Sequence, residues 1–282
     1  MNHSYCAESF VVVEAATGGI LSKKNENTKR QVASLTKVAT VLLALDWARA
    51  EQVDLETPFP VGEDAISGGV NPLNLREGDQ ISVRDAMFAS MMASDNTSAY
   101  VLAEAIGSEV DPGLSGDDAV GLFVEMMNGM AKSLGMAQTE FVNPHGLDGE
   151  TDLGASTAAD MARLTMAAYR DPQFISFVSE KEYEVSFERG GEVHSVRLIN
   201  TNELVGSRGV DGVKTGTTWR AGACLIASAT RNDQRIIVVV LKAENRFQES
   251  VILLNRGWET WDNWSARGGG IETKERLRID SK

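Results

Sequence analysis

The apolar positions of this chain change their spacing along its length, and each change predicts a different kind of element. Phe10 to Ala15 (FVVVEA) is a short apolar run that predicts a strand. Thr17-Gly18-Gly19 then turns the chain into Ile20 to Lys23, so the start predicts a β-hairpin. From Ser34 to about Ala50 (SLTKVATVLLALDWARA) apolar residues recur at helical spacing and on several sides. A helix of that kind belongs in the middle of a fold. Residues 51–80 are rich in Pro, Gly and acids and predict loop with short turns. Helices follow at about Val83 to Ala93, Thr97 to Ile106, Asp117 to Leu134 and Ser156 to Tyr169, and another starts at Asp171-Pro172. Ser94-Asp95-Asn96 breaks the helical run with three capping residue types in a row.

The character then changes. Lys181 to Phe187 and Val193 to Ile199 predict strands around Gly190-Gly191, followed by Val210 to Thr215, Ala221 to Thr230 and Arg235 to Leu241. A last helix covers about Phe247 to Trp264, and the polar tail after Gly268 predicts loose chain. Short turns join the late strands, so they should pair antiparallel. The first hairpin can join them only if the chain returns to it. The expectation is an α+β fold with a sheet built from both ends of the chain. One domain would span residues 1–265, with an all-helical lobe inserted at about 50–175, and residues 266–282 would form a polar tail.

Composition narrows the function classes. The formal net charge of -13 over 282 residues repels phosphate backbones, so no nucleic-acid partner is expected. Cys6 and Cys224 form no CxxC pair, and His3, His145 and His194 supply neither a zinc site nor a His-based triad well. No run of about 18 apolar residues predicts a transmembrane segment. The first residues, MNHSYCAESF, lack the basic start and apolar core of a signal peptide. The protein is then cytosolic, or the numbered chain begins after a removed segment.

Three short motifs fit one chemistry. Ser34-Leu35-Thr36-Lys37 alone fits equally a serine N-cap with a surface lysine one turn later. Here it opens a strongly apolar helix, where residues three apart share a face. A neighbouring base activates a serine hydroxyl. Burial makes a lysine a better base, because it disfavours the ammonium. Ser94 and Asn96 of the second motif could pass a proton and orient Lys37 or substrate; a plain helix cap is the competing reading. The third motif is Lys214-Thr215-Gly216-Thr217 on a core strand. Lys214 offers a cation, Thr215 a hydroxyl, Gly216 close backbone approach and Thr217 an N–H. Together they suit a substrate carboxylate and an oxyanion.

This ordered set is the one that class A β-lactamases and penicillin-binding proteins carry. With Asn143 to Asp148 (NPHGLD), Asn200-Thr201-Asn202 and Asp211 to Gly222 (DGVKTGTTWRAG), the chain resembles the low-molecular-mass D-alanyl-D-alanine carboxypeptidases, serine peptidase family S11, from about Phe10 to Trp261. The resemblance implies a β-lactamase/transpeptidase-like fold with an antiparallel five-stranded sheet flanked by helices. It implies Ser34 as acylated nucleophile, Lys37 as general base, Ser94 and Asn96 as a second wall, and Lys214 and Thr215 on the terminal carboxylate. The N–H groups of Ser34 and Thr217 would form the oxyanion hole. Arg246 matches a family arginine near the carboxylate pocket, while His145 fits a turn histidine bonded to backbone. Implied partners are peptidoglycan stem peptides ending in D-Ala-D-Ala and β-lactam inhibitors. No cofactor or metal is implied, and the location is periplasmic or otherwise extracytoplasmic.

Three departures qualify the resemblance. Asp95 stands where these carboxypeptidases more often carry a small residue, and Ser-Asp-Asn is the class A β-lactamase spelling. The larger carboxypeptidases carry a C-terminal β-rich domain and an amphipathic anchor, whereas this chain runs only to Lys282. The export signal is absent from the numbering. Other readings stand beside carboxypeptidase. One is a D,D-endopeptidase, and one is a non-enzymatic β-lactam sensor or peptidoglycan-binding module. A class A β-lactamase would need a Glu-x-x-x-Asn loop, and Glu140-Phe141-Val142-Asn143 is one residue too short.

Overall fold

The computed structural model describes residues 6–149, 153–266 and 275–279. Strands β1 (Ser9–Glu14) and β2 (Gly19–Lys24) form the first hairpin. Strands β7 (Val210–Thr218), β8 (Gly222–Arg231) and β9 (Gln234–Ala243) come from the other end of the chain. They pair as one antiparallel five-stranded sheet in the order β2-β1-β9-β8-β7, with β1 docked on β9 from Ser9↔Leu241 to Glu14↔Ile236.

Alternation along β1 and β9 divides the core. Val11, Val13, Ile237 and Val239 face the helical side, whereas Phe10, Val12, Ile236 and Val238 face the closing helix α7 (Arg246–Ser265) through Leu253, Leu254 and Trp258. Both faces of the sheet are covered, so these strands read as continuous apolar runs. On the first face sits helix α1 (Lys37–Ala50), almost wholly buried as its apolar surround predicts. Helices α2 (Val83–Phe88), α3 (Asn96–Val110), α4 (Gly116–Ser133), α5 (Ala158–Ala168) and α6 (Pro172–Ser179) surround it.

The expected all-helical lobe is corrected. Short strands β3 (Pro58–Pro60), in the segment read as loop, and β4 (Gln80–Ser82), where that segment ends, join β5 (Glu182–Arg189) and β6 (Glu192–Ile199) in a second, four-stranded sheet. Ile81↔Phe187 is the joining register, and Phe88 stacks on Tyr183. The Asn200-Thr201-Asn202 turn links the two sheets. Asn200 Nδ2 donates to Glu180 O at 2.9 Å and Asn202 Nδ2 to Gly212 O at 2.9 Å.

The chain start and most of the segment after Gly268 lie outside the described residues. The loose-tail expectation fails at 275–279. Leu277 is buried, its N–H donates to Gly18 O at 2.9 Å, and Arg276 bridges to Gly19.

Candidate active site

Ser34 lies on a 3-10 turn, Ala33–Thr36, rather than on the regular helix its spacing suggested. The turn forms because Leu35 N donates to Val32 O while Ala33 takes a left-handed φ of 49°. Regular α-helix then starts at Lys37. The Lys37 side chain is fully buried, with Nζ 3.1 Å from Ser34 Oγ, 2.6 Å from Asn96 Oδ1 and 2.9 Å from the His145 carbonyl.

The chemistry of these three partners fixes what Lys37 can do. Asn96 Nδ2 donates to Gly68 O at 2.7 Å, so Oδ1 is the atom that faces the lysine. Asn96 Oδ1 and His145 O can only accept. A neutral amine there spends both of its N–H groups on them, and its lone pair faces the Ser34 hydroxyl. Burial pushes Lys37 down to about 7, against a smaller opposing pull from Asp95. The free amine is therefore populated near neutral pH.

The partners are positioned by separate elements. Asn96 begins α3, and Asp95 caps that helix by accepting from Ser98 N at 2.7 Å. Asp95 also accepts from Leu73 N at 3.3 Å, and burial raises its pKa. Helix α2 continues as a π-helical segment, Ala89–Ala93, and Ser94 closes it with a left-handed φ of 61°. Backbone in that region costs about 1–3 kcal/mol for a residue with a Cβ and clusters at functional sites. Ser94 Oγ has no hydrogen-bond partner among the described residues.

The His145 carbonyl is the partner that side-chain motifs do not spell. Its loop is seated by Thr40 Oγ1, which donates to Pro144 O at 2.6 Å, and by Gly146. Gly146 has a φ of +82°, and a Cβ there would fall 2.0 Å from Ala33 O. The His145 ring accepts from Leu147 N at 3.2 Å and burial pushes it down to about 3, so it is neutral, in keeping with a turn histidine.

The third motif lies on β7, an edge strand facing the turn that holds Ser34. A Cβ on Gly216 would stand 3.0 Å from Val32 O and 3.1 Å from Ser34 N, so this glycine sets how closely strand and nucleophile approach. Lys214 is buried, and its Nζ donates to Thr215 O at 3.1 Å. Burial, then the Lys37 and Arg246 cations, hold it well below the ordinary lysine value. Thr215 Oγ1 lies 2.7 Å from Thr201 Oγ1, and Thr201 N donates to Met92 O, so Thr201 ties this strand to the segment before Ser94. Arg246 is partly buried and donates to Gly216 O at 3.1 Å and Thr217 Oγ1 at 2.7 Å. It is therefore anchored on the site strand and is not a surface turn cap. Three basic side chains, Lys37, Lys214 and Arg246, thus converge in a chain whose net charge is -13.

The architecture and this convergence define the β-lactamase/transpeptidase-like fold of the penicillin-binding proteins. The crystal structure of the Streptomyces K15 DD-transpeptidase matches with a TM-score of 0.84 at 26% identity, over 92% of this chain and 99% of that one. The family model for D-alanyl-D-alanine carboxypeptidase, peptidase family S11, matches residues 2–245, and the chain belongs to that family. It is 34% identical to the D-alanyl-D-alanine carboxypeptidase DacC of Escherichia coli over 91% of this chain, and spans 62% of that relative's length. It is also 32% identical to a D-alanyl-D-alanine endopeptidase of Pseudomonas aeruginosa, over 85% of this chain and 72% of that protein.

Proposed function

We propose that this protein is a serine-type D-Ala-D-Ala carboxypeptidase that removes the terminal D-Ala of peptidoglycan stem peptides, outside the cytoplasmic membrane. The observation that carries the proposal is the buried Lys37 amine, 3.1 Å from Ser34 Oγ, with its other two partners both acceptors. Lys37 takes the Ser34 proton as Oγ attacks the carbonyl of the penultimate D-Ala. The N–H groups of Ser34 and Thr217 hold the oxyanion. Lys214, Thr215 and Arg246 receive the terminal carboxylate. Ser94 carries the proton to the departing amine, and water then hydrolyses the ester on Ser34. β-Lactams acylate the same serine. Among the described residues no glutamate hydrogen-bonds Ser34 or Lys37, and Glu140 is exposed on a bridge to Ala155. A penicilloyl-enzyme is therefore long-lived, and penicillin acts as an inhibitor.

The test is release of free D-Ala from a peptide ending in D-Ala-D-Ala, by the wild type and by Ser34→Ala. Release is expected from the wild type alone, and equal release from both sinks the assignment. Nitrocefin run in parallel separates a β-lactamase, which would turn it over rapidly. The match to an endopeptidase, of whose length this chain covers more than it does of DacC, favours one second reading, cleavage of crosslinks by the same groups. A crosslinked muropeptide dimer, offered beside the pentapeptide monomer, distinguishes the two.

A further inference from the structure

Four arginines, Arg170, Arg235, Arg276 and Arg278, line one cavity of about 720 Å³ at the far end of the five-stranded sheet. Strand β7 sets its distance from the active site. That strand meets the Ser34 turn at Gly216, whereas Asp211, which accepts from Arg235 Nη1 at 3.1 Å, stands five residues earlier. A strand advances about 3.3 Å per residue, so the two places are roughly 17 Å apart along β7. The arginines are held in place by the fold. Arg235 Nη1 also donates to Ser228 Oγ at 2.9 Å, and its guanidinium lies 3.6 Å from the centre of the Tyr169 ring. Arg276 and Arg278 are exposed on either side of buried Leu277. Their segment is fixed by Leu277 N, which donates to Gly18 O at 2.9 Å, and by Arg163 Nε, which donates to Arg278 O at 3.2 Å. A Cβ on Gly18 would stand 2.0 Å from Leu277 O, so the β1–β2 turn leaves room for this segment.

The charges of this cavity do not balance. Asp211 answers Arg235, and Asp233 is the one acidic side chain among the described lining residues. Among the described residues neither Arg170 nor Arg278 forms an ion pair. In a chain of net charge -13, two guanidinium groups on one cavity without a carboxylate on either make a local positive field that favours a bound anion. The volume falls within the range of small-ligand pockets, about 300–1,000 Å³, so it holds more than a bare ion. Guanidinium forks match the oxygens of a phosphate, each by two parallel bonds. A phosphate monoester is close to doubly ionised at neutral pH, which matches two arginines better than a carboxylate does.

We infer that this cavity is a second binding site, separate from the Ser34 centre, for a phosphate monoester. Arg170 and Arg278 take the phosphate oxygens, and Arg235 adds positive charge behind them. Met166 and Ile279, also on the lining, give the organic part of the ester an apolar wall. The same group occurs on soluble esters and on the headgroup of phosphatidic acid, and the two sources are told apart by experiment.

Calorimetry near neutral pH measures Kd for glycerol 3-phosphate, with acetate as the singly charged control. Wild-type protein should bind glycerol 3-phosphate about tenfold more tightly than acetate. Arg170→Ala/Arg278→Ala should weaken that binding about tenfold. Arg278→Lys, which keeps the charge and loses the fork, should weaken it about threefold. Both side chains are exposed, so Tm should hold in each variant. The basic groups around Ser34 are a competing anion site, and binding there would survive the double substitution; that result overturns the inference. Acetate binding as tightly as glycerol 3-phosphate overturns it too. Cosedimentation with phosphatidylcholine vesicles, with and without phosphatidic acid, separates the sources. Uptake that needs phosphatidic acid and is lost in Arg170→Ala/Arg278→Ala assigns the lipid headgroup, and glycerol 3-phosphate binding without uptake assigns a soluble ester. Neither binding nor uptake by the wild type leaves the cavity without a phosphate ligand and ends the proposal.

Discussion

Lys37 makes the active site pH-dependent in a direction that can be worked out. Its folded pKa, about 7, lies below its ordinary value near 10.5. Below about 7 the ammonium has no lone pair for Ser34, so acylation by benzylpenicillin should rise close to tenfold per pH unit up to about 7 and then level. Stopped-flow measurement of the acylation rate constant checks this. Because the pKa is depressed, the unfolded chain binds a proton between about 7 and 10.5 that the folded chain does not. This group's contribution to stability therefore increases with pH across that window. Asp95 pulls the other way on Lys37. Asp95→Asn removes that charge, so the acid limb of the same profile should move to lower pH; a limb that stays in place or rises contradicts the coupling. At this scale the three motifs were legible as strings, and so were the groups they bring together. The His145 carbonyl was not, because a main-chain acceptor has no letter. Thr201 was visible as part of a resemblance, but the bond between its hydroxyl and that of Thr215 needs the turn between the sheets to lie against β7 and appears only in the fold.

Between elements, the decisive contact is β7 against the turn that carries Ser34. Gly216→Ala adds a Cβ that needs the neighbouring backbone to yield by a few tenths of an ångström. Acylation should fall roughly tenfold, about 1.4 kcal/mol in the barrier, with little change in Tm. Gly146→Ala is the harsher change, since the added Cβ meets Ala33 O at 2.0 Å at a φ of +82°. It should lower Tm and acylation together, and thermal melts beside acylation rates separate the two cases. The elements themselves were readable because both periods are local. Which sheet a strand joins is not local. The β5–β6 hairpin resembles its successors in pattern, yet it leaves them to pair with β4. The segment after it, pinned by Asn200 and Asn202, gives the chain room to change sheets.

For the whole molecule, the sheet needs residues from both ends, and a short piece near the end of the chain completes its edge. Leu277 is 5% exposed and packs into the larger core cluster. Leu277→Ala should cost about 2 kcal/mol, the low end for a buried leucine. Chemical denaturation reads that loss directly, and an unchanged midpoint would show that 275–279 adds nothing.

The pairing of β1 with β9 has a consequence in time as well as in space. Ser9 finds its partner only when Leu241 exists. During synthesis β1, and the turn with Ser34 behind it, must wait until β9 has left the ribosome. Closing so long a loop makes sheet assembly a late step of folding. A nascent or truncated chain ending before β7 therefore carries Ser34 and Lys37 without a wall opposite them, and it stays inert towards penicillin until the last strands arrive.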